Sequence, residues 1–327
     1  MKTVLNYIVS IYIISILFCF NYCFAQTQQQ AQQREQQSKT SHCITQFEHG
    51  IINWTTGNIL AIGKASVEDN TQTSQKSVPG SARADANRHI IDILKQLKIN
   101  NALSVGEYAS RNDIILAGIE KTARDAVTTK QYYTSALSVE IIVETSIFGG
   151  LLQLVLPEKI KPIPQINLEH SKINDKKSEA DLYTGIIVDA RKLEIEPVLN
   201  PVIISEQGHD IYSSSFISRE FAVQNGVCKY YCDMEQAVKD ERIGTNPLVI
   251  KGLRNAGKEN SAIIISMSDY QTVEKTAERH TFLKECRFII VHDGTHIGDL
   301  NDLDSLLRPE AQEILLDKLL LPENIDQ

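Results

Sequence analysis

Across residues 81–97 the apolar side chains Ala82, Ala86, Ile90, Ile93, Leu94 and Leu97 recur in steps of three and four, with Arg83, Asp85, Arg88 and Lys95 between them. A helix places such positions on one stripe, and that stripe must be covered by another element. The sequence offers strands to cover it. Upstream, GIINWTTGNILAIGKA reads as two short strands joined by a glycine-containing hairpin turn, followed by a polar loop with Pro79 and Gly80. Downstream, residues 126–133 and 137–147 read as paired strands. In the second of these Val139, Ile141 and Val143 alternate with Ser138, Glu140 and Glu144, the pattern of a sheet with one face on a core and one in water. A shorter helix is expected over residues 110–120 with Ile114, Ile115 and Ile119 inward, and LLQLVLP closes the unit at Pro157. Trp54, the single tryptophan, sits at the hairpin, where it closes the strands onto the core and marks where the folded unit begins.

Prolines and charges dominate PEKIKPIPQINLEHSKINDKKSEAD, the composition of an interdomain linker. Beyond it, short apolar runs (YTGIIVDA, PVIIS, PLVIKGL, AIIIS, RFIIVHD) are interleaved with short helical pieces (FAVQNG, MEQAV, SDYQTVEKTAER). The expected fold is therefore α+β in two modules: an N-terminal β-hairpin/helix/strand-pair domain over 42–157 and a mixed α/β domain over 182–300, separated by a linker over 158–181. A C-terminal helical extension is expected over 301–327. Its helix would span 308–320, with Pro309 early and Ala311, Ile314, Leu315 and Leu319 on one face.

Residues 1–25 combine Lys2, an apolar run over 7–20 and a short exit ending in Ala25, the pattern of a secretory signal peptide. Cleavage is expected after Ala25. The alternatives are a retained membrane helix, for which Asn6 and Asn21 leave the run short of roughly 20 apolar residues, and lipidation at Cys19 or Cys23, where Phe18 and Tyr22 stand in place of the small residue a lipoprotein signal requires. Residues 26–41 are glutamine-rich and nearly free of apolar side chains, as expected of a flexible spacer. The formal net charge of −8 is interspersed, without a basic stripe, which argues against nucleic acid or anionic lipid as the main partner. The expected location is periplasmic or secreted, with peripheral membrane association at most.

INWTTGNILAIGKA followed by ARADANRHIIDILKQLKI resembles the start of a family of small bacterial envelope lipoproteins that includes the flagellar accessory protein FlgP and the N-terminal part of FlgT. YTGIIVDAR, SREFAVQNG, GTNPLVIKGL and FLKECRFIIVHD resemble longer members in which a second domain follows. The resemblance spans residues 50–291 and implies an exported envelope protein without attributed enzymatic activity, working through envelope or flagellar-type protein partners. It transfers no catalytic residue. The lipobox of the lipoproteins is missing, and Cys228 and Cys232 are departures from the pattern.

Cys43, Cys228, Cys232 and Cys286 form an even set in an exported chain, which invites disulfides. If residues 227–231 form a strand, Cys228 and Cys232 stand about 13 Å apart, too far to bridge except across a turn. Cys286, at the entrance to RFIIVHD, is the expected partner for one of them, with free thiols as the other reading. A metal site on these cysteines would need a histidine, His209 or His280. The run HDGTHIGDLNDLD holds His292 and His296 four apart, with Asp293, Asp299, Asn301, Asp302 and Asp304 as oxygen ligands, but it lacks the glycine of a calcium loop and the glutamate of a zinc protease. It is expected to be a solvated loop. Asp189 and Arg191 end a strand, a place where ligands can collect if the sheet is parallel, but an ion pair or turn capping at the strand exit explains both residues equally well. GxSxG and the phosphate-binding glycine loop are missing. The expectation is a noncatalytic envelope protein without a cofactor; the alternative is a periplasmic small-ligand or metal-binding protein centred on residues 292–304.

Overall fold

Nine consecutive residue pairs, from Asn58 opposite Ser146 to Ser66 opposite Ser138, join two nine-residue strands of the first sheet. The computed structural model describes residues 42–66, 72–135, 138–157, 183–256, 262–277, 282–297 and 305–308. The expected leader, spacer and linker, and all of the expected C-terminal helix except Arg308, lie outside the described residues.

The first module runs β1 (His42–Phe47), β2 (Gly50–Asn53), β3 (Asn58–Ser66), α1 (Gln72–Gln96), β4 (Lys98–Asn100), β5 (Leu103–Ser104), α2 (Val105–Ala109), α3 (Asp113–Arg124), β6 (Val127–Ser135), β7 (Ser138–Ser146) and α4 (Gly150–Val155). The expected hairpin is β2–β3. Its turn is held by Asn53, whose Oδ1 accepts from the Thr55 and Thr56 N–H groups at 3.1 and 3.2 Å. The apolar stripe of α1 is buried as its spacing requires, with Ala82, Ala86 and Ile90 fully covered. Ala82 and Ala86 lie directly over Gly63, where an added Cβ would stand 2.1 Å from the Ala82 carbonyl oxygen and 2.2 Å from the Ala86 nitrogen.

Two expectations for these helices need correction. α1 begins at Gln72 rather than after Pro79 and Gly80; Val78 is buried one turn before Ala82, so packing on both sides of the proline outweighs its missing hydrogen bond. In α3 it is Ile115, Ile119 and Ala123, spaced by four, that face the core, while Ile114 is 69% exposed. Asn112 caps this helix by accepting from the Ile114 N–H, which fixes where the helix starts and so which of the adjacent isoleucines turns inward.

The second module contains β8 (Gly185–Asp189), β9 (Val202–Ser205), β10 (Asp210–Tyr212), α5 (Arg219–Asn225), β11 (Lys229–Tyr231), α6 (Met234–Ala237), a 3-10 turn (Glu241–Ile243), β12 (Pro247–Asn255), β13 (Ala262–Ile265), α7 (Met267–Ala277) and β14 (Phe288–Val291). Its sheet order is β10-β9-β13-β12-β8-β14-β11. Strands β12, β8, β14 and β11 are parallel, β13 is antiparallel to β12, and β9 is parallel to β13. β14 along its whole length and β8 up to Val188 are apolar and buried because both faces of the sheet are covered there. The fold is α+β with two sheet-based modules.

The two modules share one core. A single buried cluster contains Trp54, Ile90 and Ile141 from the first and Ile186, Tyr230 and Phe288 from the second. Backbone hydrogen bonds cross between them, from Leu199 N–H to the Lys98 carbonyl at 2.9 Å and from Gly149 N–H to the Val223 carbonyl at 2.7 Å. After β14 the chain returns to the first sheet as β15 (Thr295–Ile297), which pairs antiparallel with β1, giving the order β15-β1-β2-β3-β7-β6. This corrects the expectation of a solvated loop for the start of HDGTHIGDLNDLD: the free edge of β1 takes up Thr295, His296 and Ile297 as a further strand. Residues 305–308 then lie on the face of the first sheet opposite α1. Leu307 packs with Ile44, Ile51, Ile62 and Ile142, Arg308 Nε donates to Glu140 Oε2 at 2.5 Å, and its guanidinium lies 3.8 Å over the Tyr132 ring. Burying one leucine in this way contributes about 2 kcal/mol.

Candidate functional site at the seam

β11 and β14 are parallel neighbours with Tyr231 opposite Val291, so the residues that follow them, Cys232 and His292, emerge side by side at the same end of the sheet. The His292 N–H donates to the Tyr231 carbonyl at 3.0 Å, which holds that register. β1 brings Cys43 to the same point from the first module. Cys43 and Cys232 form a disulfide, with Cα atoms 5.3 Å apart and a sequence separation of 189. His292 Nε2 lies 3.2 Å from Cys43 Sγ.

The surroundings of this cluster are built in detail. Cys43 N–H donates to Thr55 Oγ1, whose own hydroxyl donates to the Tyr230 carbonyl at 3.1 Å, linking the two modules through one side chain. Trp54 N–H donates to the Cys43 carbonyl. The indole of Trp54 donates to Thr45 Oγ1 and meets the Tyr230 ring edge-on at 5.7 Å, and Tyr230 in turn meets His292 edge-on at 5.7 Å. Trp54 is thus a buried seam residue. Gly294 covers the cluster: a Cβ there would stand 2.8 Å from His292 Cε1, 2.9 Å from Cys232 Sγ and 3.2 Å from Cys43 Sγ. Cys43 is fully buried, His292 is 4% exposed and Cys232 is half-buried. His292 Nδ1 has no hydrogen-bond partner among the described residues. Burial holds His292 below the ordinary histidine pKa, with the backbone and charge of Asp293 pulling the other way. Burial likewise lowers His42, whose Nδ1 accepts from Asn53 Nδ2 at 3.1 Å.

The structure corrects the expected cysteine pairing. Cys228 and Cys286 are free and buried, and burial pushes their thiols up to about 12 and about 11. Cys286 precedes β14 and Cys228 precedes β11, so both lie at the amino end of these parallel strands, while Cys232 follows β11 at the carboxyl end. A parallel neighbour therefore carries Cys286 away from Cys232. The histidine beside the paired cysteines is His292; His209 instead lies against the Tyr270 ring, and His280 is outside the described residues. His296 is exposed opposite Cys43 on β15, and Asp293 accepts from the Lys192 N–H. Asp299, Asn301, Asp302 and Asp304 lie outside the described residues. Asp189 and Arg191 do pair, in a bidentate arrangement at 2.8 and 2.7 Å that holds the carboxyl below its usual range.

A second feature is an open cleft of about 440 Å³ lined by Phe148, Phe221, Lys229, Asp240, Arg242 and Arg287, among others. Its charges have internal work. Arg242 donates to the carbonyls of Cys286, Asn225 and Gly226 at 2.5 to 2.7 Å. Asp240 accepts from Lys229 Nζ at 2.7 Å and from the Tyr231 hydroxyl at 2.5 Å. Burial alone would raise the Asp240 pKa, but these donors and the Arg242 N–H outweigh it and leave the carboxyl below its ordinary value. Because the folded-state pKa is lowered, the unfolded chain takes up the proton first. The stabilisation is complete above about pH 4 and is lost as pH falls through the lowered value. Urea midpoints measured from about pH 6 down to about pH 3 should fall less steeply for Asp240→Asn than for the natural chain, from a lower starting value. Parallel curves would show that Asp240 is not held in this way.

Among the described residues, no helix is long and apolar enough to cross a membrane. No curated protein matches the chain. Residues 185–294, about a third of the chain and including Cys232, His292 and Gly294 but not Cys43, match a family model described as the second domain of Treponema pallidum Tp0624, so it is to that domain that the second module is similar.

Proposed function

We propose that this chain is a noncatalytic protein of the cell envelope that works by binding other proteins, with the open edge of its first sheet as the contact. The observation that carries the reading is β6. This nine-residue strand pairs with β7 on one side and, among the described residues, ends the sheet on the other, with Val127 65% and Tyr133 71% exposed. A strand at the end of a sheet can take up an added strand, with its exposed side chains, here Val127 and Tyr133, to select it. Export is supported by the signal-peptide pattern of residues 1–25 and by a disulfide between the modules, a bond that persists in oxidising compartments. The resemblance to the FlgP and FlgT segments makes a flagellar or related surface assembly the setting to test first.

The test is a double substitution, Val127→Lys with Tyr133→Lys, which places like charges on the edge while leaving the buried face of the sheet intact. Envelope proteins crosslinked to the natural chain should be lost from the variant. The variant's thermal midpoint should stay within a few degrees, as both sites are exposed. Identical crosslinked products from the two chains would remove β6 as the contact.

A further inference from the structure

A disulfide needs neither a histidine against one sulfur nor a glycine pressed against both, yet the seam has each. His292 Nε2 sits 3.2 Å from Cys43 Sγ, on a residue only 4% exposed. A Cβ on Gly294 would stand 3.2 Å from Cys43 Sγ and closer still to Cys232 Sγ and the His292 ring. The ligand atoms of Cys43, Cys232 and His292 all lie within 4.8 Å of one another.

We infer that Cys43, Cys232 and His292 form a two-state centre: a disulfide when oxidised and, when reduced, a site for a soft divalent metal ion such as zinc. Two thiolates on one tetrahedral zinc ion stand about 3.8 Å apart, a spacing that Cα atoms 5.3 Å apart allow. The imidazole supplies the third ligand. The fourth position opens towards solvent on the side of Cys232, which is half-buried while the other two ligands are covered. Two sulfurs and one nitrogen suit zinc, cobalt or copper and disfavour calcium and magnesium.

The conversion balances with a small dithiol as reductant. One thiolate of the dithiol attacks Cys232 Sγ, the more accessible sulfur; the Cys43–Cys232 bond breaks, and its electron pair leaves on Cys43 Sγ, which takes up a proton. The second thiol of the dithiol then attacks the mixed disulfide, freeing Cys232 and leaving the reductant as its own disulfide. Zinc binding displaces one proton from each protein thiol into solvent, so uptake is favoured by rising pH.

The test uses the full natural chain, oxidised and phosphine-reduced, titrated with Zn2+ in competition with a chromophoric chelator. Protected cysteines are then mapped by alkylation and mass spectrometry of peptides, which tells Cys43 and Cys232 apart from Cys228, Cys286 and the two leader cysteines. The reduced chain should bind one equivalent, the oxidised chain none at this site, and zinc should shield Cys43 and Cys232. His292→Ala should weaken binding about 10- to 100-fold or more, and Co2+ in place of Zn2+ should show a thiolate-to-metal absorption band that Cys232→Ser removes. No uptake by the reduced natural chain, or shielding that falls on Cys228 and Cys286 or on the leader, would overturn the assignment. So would an unchanged affinity in His292→Ala. Because the first comparison uses one unmutated polypeptide, a variant that fails to fold does not decide the outcome.

Discussion

Gly63→Val is expected to yield no folded protein. β3 and α1 touch backbone to backbone at this position, and a Cβ would stand 2.1 Å from the Ala82 oxygen and 2.2 Å from the Ala86 nitrogen. Neither obstacle is a side chain that can rotate away. Relief requires lifting the helix, and with it Ala82, Ala86 and Ile90, from the sheet that covers them. Gly63→Ala, the smallest version of the same insertion, should already cost about 3 kcal/mol. Gly80→Ala is the control: it lies in the same helix with nothing within 4 Å of the added atom, and it should stabilise by about 0.5–1 kcal/mol. Fluorescence of Trp54, the single tryptophan, reports both through urea unfolding. An unperturbed midpoint for Gly63→Ala would mean that the helix does not sit on this strand.

Losing the seam disulfide should be the next largest effect. The bond closes a loop of 189 residues, and removing it by Cys43→Ser, Cys232→Ser or both should cost about 2–5 kcal/mol. The double variant should cost about as much as either single one, since all three delete the same link. The natural chain, with one shared core, should unfold in a single step. In the variants Trp54, which lies against Tyr230 across the seam, should report loosening at lower urea than far-UV circular dichroism does. If the metal centre also forms, zinc should recover part of the loss in the reduced natural chain but not in the serine variants. Equal midpoints for the natural and serine chains would show that the crosslink contributes nothing.

Legibility in the sequence followed the length of each periodic run. The stripe of α1 and the alternation of β7 each span enough positions for the period to stand out, and the WTTG hairpin carried its own turn chemistry. β10, β11 and β15 are three residues long, too short to show any period, and each exists because a neighbouring strand supplies its partners. Ile114 and Ile115 both fit a helical stripe, and the cap at Asn112 decided between them. The site was less legible than the fold. Cys43, Cys232 and His292 come from three segments brought together by parallel pairing of β11 with β14 and by the return of β15 to β1; no local spacing encodes that. His292 was visible only as half of a histidine pair, whereas its neighbours in space are sulfurs.

The pairing of β15 with β1 also sets a timetable for assembly. Cys43 stands opposite His296, so the first strand of the first sheet meets its outer neighbour some 250 positions later in the chain. Until residues 295–307 have been made, β1 lacks its β15 neighbour, and the patch around Ile44 and Ile142 awaits Leu307. Contacts this distant in sequence slow folding. A fragment ending at the linker should therefore emerge from the ribosome sticky and dependent on chaperones until residues 295–307 arrive to cover that flank and patch.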